Sequence, residues 1–178
     1  MHTHKRILVL AMCAAVLGLL VPAHADNLNP GKVSASSLPS DLFVAQAPQN
    51  ALGVGEARKG AQEGKQIVVK GRIGGIAQPI ANKYAIFLLV DLGLAPCEDA
   101  CGNNFCRIDQ GTLMANLATV QVVDSGGRPL KVSMAGMNGL KPLVPVVVQG
   151  TVAKKDANVL IINARRIFVD GKAQATVY

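Results

Sequence analysis

Three cysteines lie close together in this sequence and could do chemistry as a group. Cys97, Cys101 and Cys106 follow the pattern Cys-x3-Cys-x4-Cys, and the residues between them are typical of turns. All three histidines of the chain lie within its first 25 residues. If those residues are removed, no imidazole remains, which excludes Ser-His-Asp and Cys-His nucleophile systems and any metal site that needs histidine.

The cysteine pattern fits a disulfide, a metal site or a redox site. Thiols outside the cytoplasm usually oxidise, so we expect one disulfide that closes the loop and one thiol left over, with all three pairings open. Three thiolates also suit Cu(I) or Zn(II), with Glu98, Asp99 or Asp109 as a fourth ligand. A redox role is the weakest alternative, because the spacing differs from the Cys-x-x-Cys motif of exchange proteins. Apart from the metal alternative, we expect no cofactor.

Basic residues on predicted strands form a candidate ligand face. Lys70, Arg72 and Arg165 would share this face if the first and last strands are neighbours. Small β-barrels commonly bind oligonucleotides or oligosaccharides on one face. Nucleic-acid binding also needs aromatic side chains for base stacking, and only 3% of the residues are aromatic, which argues against a nucleic-acid partner. The sequence identifies no other partner.

No arrangement of carboxylates in the sequence indicates acid–base catalysis. Asp91 and Asp124 end predicted strands, where aspartate commonly accepts hydrogen bonds from turn backbone. The glycine pairs at residues 74–75 and 126–127 lack the spacing of a phosphate-binding loop. We therefore expect a non-enzymatic binding or structural protein.

The chain divides into a targeting segment, a linker and one domain. Residues 1–25 begin with Lys5 and Arg6, continue with an apolar run at 7–21 and end with the small residues Ala23 and Ala25. These are the features of a secretory signal peptide that is cleaved after Ala25. We therefore expect export to the periplasm or beyond. The apolar run is shorter than the roughly 20 residues of a membrane-spanning helix, so we expect no stable span after cleavage. Residues 26–50, rich in Pro and Ser, predict a flexible linker, and residues 51–178 predict the domain.

Alternating apolar residues within the domain predict strands separated by glycine-rich turns. The predicted strands span residues 67–73, 84–91, 119–123, 130–133, 145–153 and 159–168, and the predicted short helices span 54–63 and 109–117. Gly71 and Gly150 fall inside strands, where glycine indicates a bulge or a tight bend. Five or six strands in so short a segment predict an all-β fold, a small closed barrel with one or two short helices.

The order of these segments carries a family resemblance. The motifs are GRIGG at residues 71–75, TVQVVD at 119–124, VPVVVQGTV at 144–152 and VLIINARRIFV at 159–169. They resemble a group of uncharacterised secreted bacterial proteins with an OB-fold-like core and a Cys-containing insertion after the second strand. The resemblance covers residues 54–170 and implies an OB-like barrel and export, without an activity. Members of the group tend to have a further cysteine in the insertion, whereas Cys106 here stands alone before Arg107, so the resemblance does not imply a site with four thiolates.

Overall fold

The computed structural model of the chain describes residues 37–97 and 104–171. The predicted signal peptide, the first part of the predicted linker and Cys101 lie outside the described residues. No helix in the described ranges is long and apolar enough to cross a membrane. In these ranges, the strands are β1 (Leu52–Gly53), β2 (Gln66–Ile73), β3 (Ile86–Val90), β4 (Leu117–Gln121), β5 (Pro145–Lys155) and β6 (Leu160–Val169), and the α-helices are α1 (Val54–Gly60) and α2 (Gln110–Ala115).

Five of these strands close into a barrel. Neighbouring strands follow the order β2, β3, β4, β6, β5, and β5 pairs with β2 to complete the circle. β4 and β6 run parallel, whereas the other barrel pairs are antiparallel. β1 is an extra strand that adds in parallel to β2. The prediction of a small all-β, OB-like barrel with short helices is confirmed.

Alternation along the strands separates the core from the outer surface. In β2, Ile67, Val69 and Ile73 are buried, whereas Lys70 is exposed. β5 buries every second residue from residue 146 to residue 152. Successive side chains of a strand point to opposite faces, so this pattern turns one face of each strand into the barrel. Burial of each large aliphatic side chain stabilises the fold by about 1.5–3 kcal/mol.

Gly71 and Gly150 allow two close approaches between strands. A Cβ atom on Gly71 would lie 2.6 Å from the backbone oxygen of Val90, so glycine lets β3 pass close to β2. A Cβ atom on Gly150 would overlap the backbone oxygen of Asn163. The register of β5 against β6 shifts between Gln149 and Gly150. Gly150 therefore marks a β-bulge, as the sequence predicts, whereas Gly71 marks a close approach.

Helix α1 is fixed to the barrel by Arg58. The guanidinium group of this residue donates hydrogen bonds to the backbone oxygens of Leu117 and Ala157, each at 2.9 Å. Arg58 is 9% exposed, and Val54 and Ala57 of the same helix are fully buried. A buried polar group is costly unless hydrogen bonds satisfy it. The two carbonyl groups therefore hold α1 against the start of β4 and the turn between β5 and β6.

Residues that precede β1 also pack in the barrel. Leu42 is fully buried in the core, and Phe43 forms a parallel bridge with Ile167 of β6. The backbone N–H of Val44 donates to the oxygen of Ile167 at 3.0 Å, and the N–H of Ile167 donates to the oxygen of Leu42 at 2.7 Å. Residues 42–44, which fall in the predicted linker, therefore extend the sheet along one edge of β6.

The return strand predicted at residues 130–133 does not form, and this prediction is wrong. The chain turns after β4, and Val123 and Pro129 make an isolated antiparallel bridge there. The pairing reaches Leu130, whose N–H donates to the oxygen of Val122 at 2.9 Å. It ends there because Ala85 takes the next two bonds: its oxygen accepts from the N–H of Val122 and its N–H donates to the oxygen of Leu130. The strand predicted at residues 84–91 is also shorter than expected, since β3 spans Ile86–Val90.

Replacement of Leu42 by alanine should lower the free energy of unfolding by about 2–5 kcal/mol, because it removes a large side chain from a packed core. Chemical unfolding of residues 26–178 measures this change. Asp41→Ala, at the exposed neighbouring position, is the matched control and should stay within about 0.5 kcal/mol of the parent chain. Equal effects of the two substitutions would contradict the placement of Leu42 in the core.

Candidate functional site

One side of the barrel carries a cleft of about 460 Å³, hereafter the cleft. It is lined by residues 39 and 41 of the N-terminal segment, residues 122–125 after β4, Thr151 of β5 and residues 163–165 of β6. Sites for small molecules typically have volumes of about 300–1,000 Å³. The cleft is therefore large enough to hold a small polar ligand or one part of a chain.

The cleft exists because β6 is longer than its neighbours along one edge. β4 pairs with β6 at residues 161–163, and Phe43 pairs with it farther along, at Ile167. No strand among the described residues pairs with residues 164–166 on this edge. The cleft opens over this uncovered part of β6.

Polar side chains from β5 and β6 line the cleft. Oδ1 of Asn163 accepts a hydrogen bond from Nε2 of Gln121 at 2.8 Å, which leaves the Asn163 amide nitrogen as a donor. Oγ1 of Thr151 accepts a hydrogen bond from Nε2 of Gln66 at 2.9 Å, and its hydroxyl hydrogen remains to be donated. Ser125 adds a second hydroxyl group. The cleft can therefore both donate hydrogen bonds to a ligand and accept them.

Both oxygens of the Asp124 carboxylate bind groups of its own turn. Its Oδ1 accepts hydrogen bonds from the backbone N–H groups of Gly126 and Arg128, at 2.8 and 3.0 Å, and its Oδ2 pairs with the Arg128 guanidinium at 3.1 Å. The bond from the Arg128 backbone is the main cause that lowers the pKa of Asp124. Asp91 likewise accepts backbone hydrogen bonds on both oxygens. Asp124 has the turn role that the sequence predicts, whereas Asp91 combines a turn bond from Gly93 with a bond from Gly55 at the start of α1.

Arg165 brings a positive charge to the cleft. Its side chain is exposed, and no hydrogen bond or ion pair joins it to another described residue. Gln149 of β5 pairs with Arg166 of β6, and the next residue, Gly150, pairs with Ala164, so Arg165 is the extra residue of β6. A β-bulge changes the direction of the extra residue. The bulge at Gly150 therefore explains how Arg165 comes to line the cleft, where its guanidinium can bind a ligand.

The three basic residues predicted to share a ligand face lie on two separate strands. Lys70 and Arg72 are two residues apart on the outer face of β2, while Arg165 belongs to β6. β5 lies between β2 and β6. Nε of Arg72 is buried without a hydrogen-bond partner. Of the three, Arg165 alone lines the cleft.

None of the described residues that line the cleft is aromatic. Phe87 and Phe105 are fully buried, and Phe168 is half-buried. Tyr84, which is 42% exposed, precedes β3 and does not line the cleft. The cleft therefore offers no ring on which a nucleic-acid base could stack.

Cys97 and Cys106 lie side by side at the base of the cysteine loop. Their Sγ atoms are 3.0 Å apart, about 1 Å more than the length of a disulfide bond, and Cys97 is a free cysteine. The backbone N–H of Cys97 donates to the oxygen of Asn104 at 2.8 Å. The third predicted member, Cys101, lies outside the described residues. The structure thus brings two of the three predicted cysteines together.

A second, small core anchors the cysteine loop to the barrel. Phe105, which is fully buried, packs with Val90 of β3 and Leu113 of α2. A Cβ atom on Gly74 would lie 2.5 Å from the Phe105 ring, so glycine at this position lets the ring seat against the end of β2. The residue before Cys106 is therefore held firmly in place.

Among the described residues, no group of three or more Cys, His, Asp or Glu side chains could hold a metal ion. Asp109, a predicted fourth ligand, instead caps α2 and accepts a hydrogen bond from the Thr112 backbone at 2.9 Å. Hydrogen bonding to Thr112 lowers the pKa of Asp109. Glu98, Asp99 and Cys101 lie outside the described residues. A Cu(I) or Zn(II) site in the loop stays a prediction.

Most of the cleft could not be read from the sequence. Asp41 falls in the predicted linker, and Ser125 belongs to a turn that predicts no ligand contact. The alternation of apolar residues in β5 and β6 does put Thr151 and Asn163 on the outer face, which is the one local signal for them. It does not show that β4 stops short of residues 164–166 and uncovers this part of β6.

Comparisons of the chain with protein-family models, with curated proteins and with solved structures find no match. The resemblance to secreted OB-like proteins therefore stays a prediction. Evidence for a function comes from the geometry of the described residues.

The lowered pKa of Asp124 makes part of the stability depend on pH. A carboxyl whose pKa lies below its ordinary value of 3.8 contributes stability that is fully present above that value and is lost as pH falls through the lower, folded-state pKa. Asp124→Asn keeps an acceptor oxygen but removes the charge. Urea unfolding should show the substitution to be destabilising at about pH 5 and progressively less so as the pH falls below 3.8. A difference that is constant with pH would contradict this role of the charge.

Proposed function

We propose that the protein is an exported, non-enzymatic binding module whose ligand occupies the cleft. The observation that carries this proposal is the uncovered edge of β6 beside an exposed Arg165 that has no partner among the described residues. Strands β5 and β6, which pair with each other in the barrel, both contribute residues to the lining of the cleft. The two candidate acids near the surface, Asp91 and Asp124, are occupied by backbone hydrogen bonds, which supports a binding role over acid–base chemistry.

An oligosaccharide suits the cleft better than an oligonucleotide does. Sugar hydroxyl groups both donate and accept hydrogen bonds, and Asn163, Thr151 and Ser125 offer groups of both kinds. Arg165 adds a strong donor, and Asp41 adds a carboxylate that can accept from hydroxyl groups. An oligonucleotide would gain little, because it relies on stacking against aromatic side chains. OB-type barrels accommodate either class of chain.

We also propose that a disulfide on Cys106 closes the cysteine loop. The proposal is supported by the contrast between the two cysteines, since Cys97 is a free thiol and Cys106 is not. In a chain cleaved after Ala25, the one other cysteine is Cys101, so Cys101 is the expected partner. The bond would close a short loop beside the small core of Phe105.

Export is supported by the pattern of the first 25 residues, and fractionation of expressing bacterial cells tests it. The protein should appear in the periplasm or the medium with an intact mass that begins at Asp26. The exported protein should also weigh less than its reduced form by two hydrogen atoms, with one thiol that reacts with an alkylating reagent. A cytoplasmic, uncleaved product would contradict the proposal of export.

Substitution of Arg165 tests the cleft. Arg165→Ala should weaken binding of a neutral or acidic oligosaccharide by about 10- to 100-fold, because a hydrogen bond to a charged group is worth about 1.5–3 kcal/mol. Calorimetry on oligosaccharides that bind in an array screen measures this loss. Arg166→Ala is the matched control, since Arg166 is also exposed but does not line the cleft, and it should change affinity less than about twofold.

Two results would contradict the proposal. Equal losses from Arg165→Ala and Arg166→Ala would indicate general attraction to positive charge rather than binding in the cleft. Turnover of any compound in a panel of hydrolase and oxidoreductase substrates would contradict the non-enzymatic assignment.

A further inference from the structure

Two side chains of opposite charge line the cleft, and neither has a partner among the described residues. Asp41 belongs to the N-terminal segment and Arg165 to β6. Both residues are exposed, and no hydrogen bond or ion pair joins either side chain to another described residue. Asp124, which also lines the cleft, is bound to its own turn and to Arg128. The cleft therefore offers a ligand one carboxylate and one guanidinium group.

The backbone explains why these two charges line the same cleft without pairing. Phe43 and Ile167 form a parallel bridge, and the same register, continued two residues back along both chains, would place Asp41 opposite Arg165. The chain instead turns there, since a backbone hydrogen bond of 3.1 Å closes a turn over residues 39–42. Arg165 leaves the regular ladder as well, because it is the extra residue of the bulge. The cleft thus opens where a pair of opposite charges would otherwise form.

Each of the two charges is carried by an element that the barrel holds in place. Leu42, next to Asp41, is fully buried in the core, and its oxygen accepts the N–H of Ile167 at 2.7 Å. Arg165 lies within β6, where the residues on both sides of it pair with β5. Groups that are already ordered lose less entropy when they bind a ligand. The backbone positions of both charges are therefore set before a ligand arrives.

We propose that the cleft selects a zwitterionic sugar unit, which carries both an ammonium group and a carboxylate. Arg165 binds the carboxylate through charge-assisted hydrogen bonds, and Asp41 binds the ammonium group. Ser125, Thr151 and Asn163 line the same cleft and bind the uncharged hydroxyl groups. The inference deepens the proposed binding of an oligosaccharide in the cleft and rests on it.

Sugars without both charges fit the cleft less well. A purely acidic sugar pairs with Arg165 but is repelled by Asp41, and an amino sugar without an acid pairs with Asp41 but is repelled by Arg165. A neutral sugar leaves both charges partly desolvated and without a partner, which costs free energy. Specificity is a difference between affinities, and repulsion of the wrong ligand contributes to it. The cleft therefore discriminates among sugars by the charges that they carry.

Four related monosaccharides serve as probes of this selectivity. At neutral pH, muramic acid carries an ammonium group and a carboxylate, N-acetylmuramic acid keeps only the carboxylate, glucosamine keeps only the ammonium group, and N-acetylglucosamine has no charge. Each is titrated into the exported protein, and the shifts of backbone amide signals in NMR spectra give the Kd. Muramic acid should bind about 10-fold more tightly than each of the others, because it alone makes both charged contacts. The signals of Ser125, Thr151 and Asn163 should move.

Two substitutions that remove a charge assign each preference to one residue. Asp41→Asn should abolish the preference for muramic acid over N-acetylmuramic acid and keep the preference over glucosamine, whereas Arg165→Gln should do the reverse. Arg166→Gln, the matched control outside the cleft, should change neither preference. The Asp41 and Arg165 side chains make no hydrogen bond to other described residues, so the variants should fold like the parent chain. Comparison of the same sugars on parent and variant cancels the effect of the acetyl group.

The results distinguish this inference from the binding function on which it rests. Equal affinities for muramic acid and a sugar of single charge would overturn the inference, and Arg165-dependent binding of a neutral oligosaccharide would then still uphold the binding function. Loss of both preferences in either variant would also overturn the inference, because each residue would not act on its own charged group. If neither the four probes nor the oligosaccharides of the array shift any signal from the cleft, both proposals fail.

Discussion

Strand β5 pairs with β2 along one edge and with β6 along the other, and this double pairing closes the barrel. The chain can make both ladders at once only because Gly150 lets the backbone of β6 approach where any other side chain would collide. Closure leaves no open edge between the first and last barrel strands. It also gives the core its shape, since the buried aliphatic side chains of all five strands then face one interior.

The cleft forms because β4 is shorter than β6, the strand with which it pairs. β6 extends past the end of β4, and the chain before β1 returns to cover its far end at Ile167. The stretch left between them is where Arg165 lies. A residue without a partner on an uncovered edge costs the fold little because it stays in water, and it is therefore free to serve a ligand.

The sequence predicted the parts of the fold that depend on local pattern. Period-two alternation located β2, β5 and β6, and Gly150 within such a pattern located the bulge. The pairing of Phe43 with Ile167 could not be predicted, because it joins residues far apart in the chain and its N-terminal side lies among prolines and serines. The strand at residues 130–133 was predicted as the hairpin partner after the turn at 124–127, and it does not form because Ala85 takes the hydrogen bonds that would continue the pairing. Within the candidate site, Arg165 was named from charge alone, while Thr151 and Asn163 required the three-dimensional arrangement.

The cysteine loop is seated on its own small core around Phe105 rather than on the main core of the barrel. Few apolar side chains take part in that cluster, so the free energy needed to open it is lower than the free energy needed to unfold the barrel. The described residues around Phe105 can therefore open while the five strands remain closed. The domain thus has two levels of stability, and the contact between Cys97 and Cys106 lies beside the weaker of the two clusters.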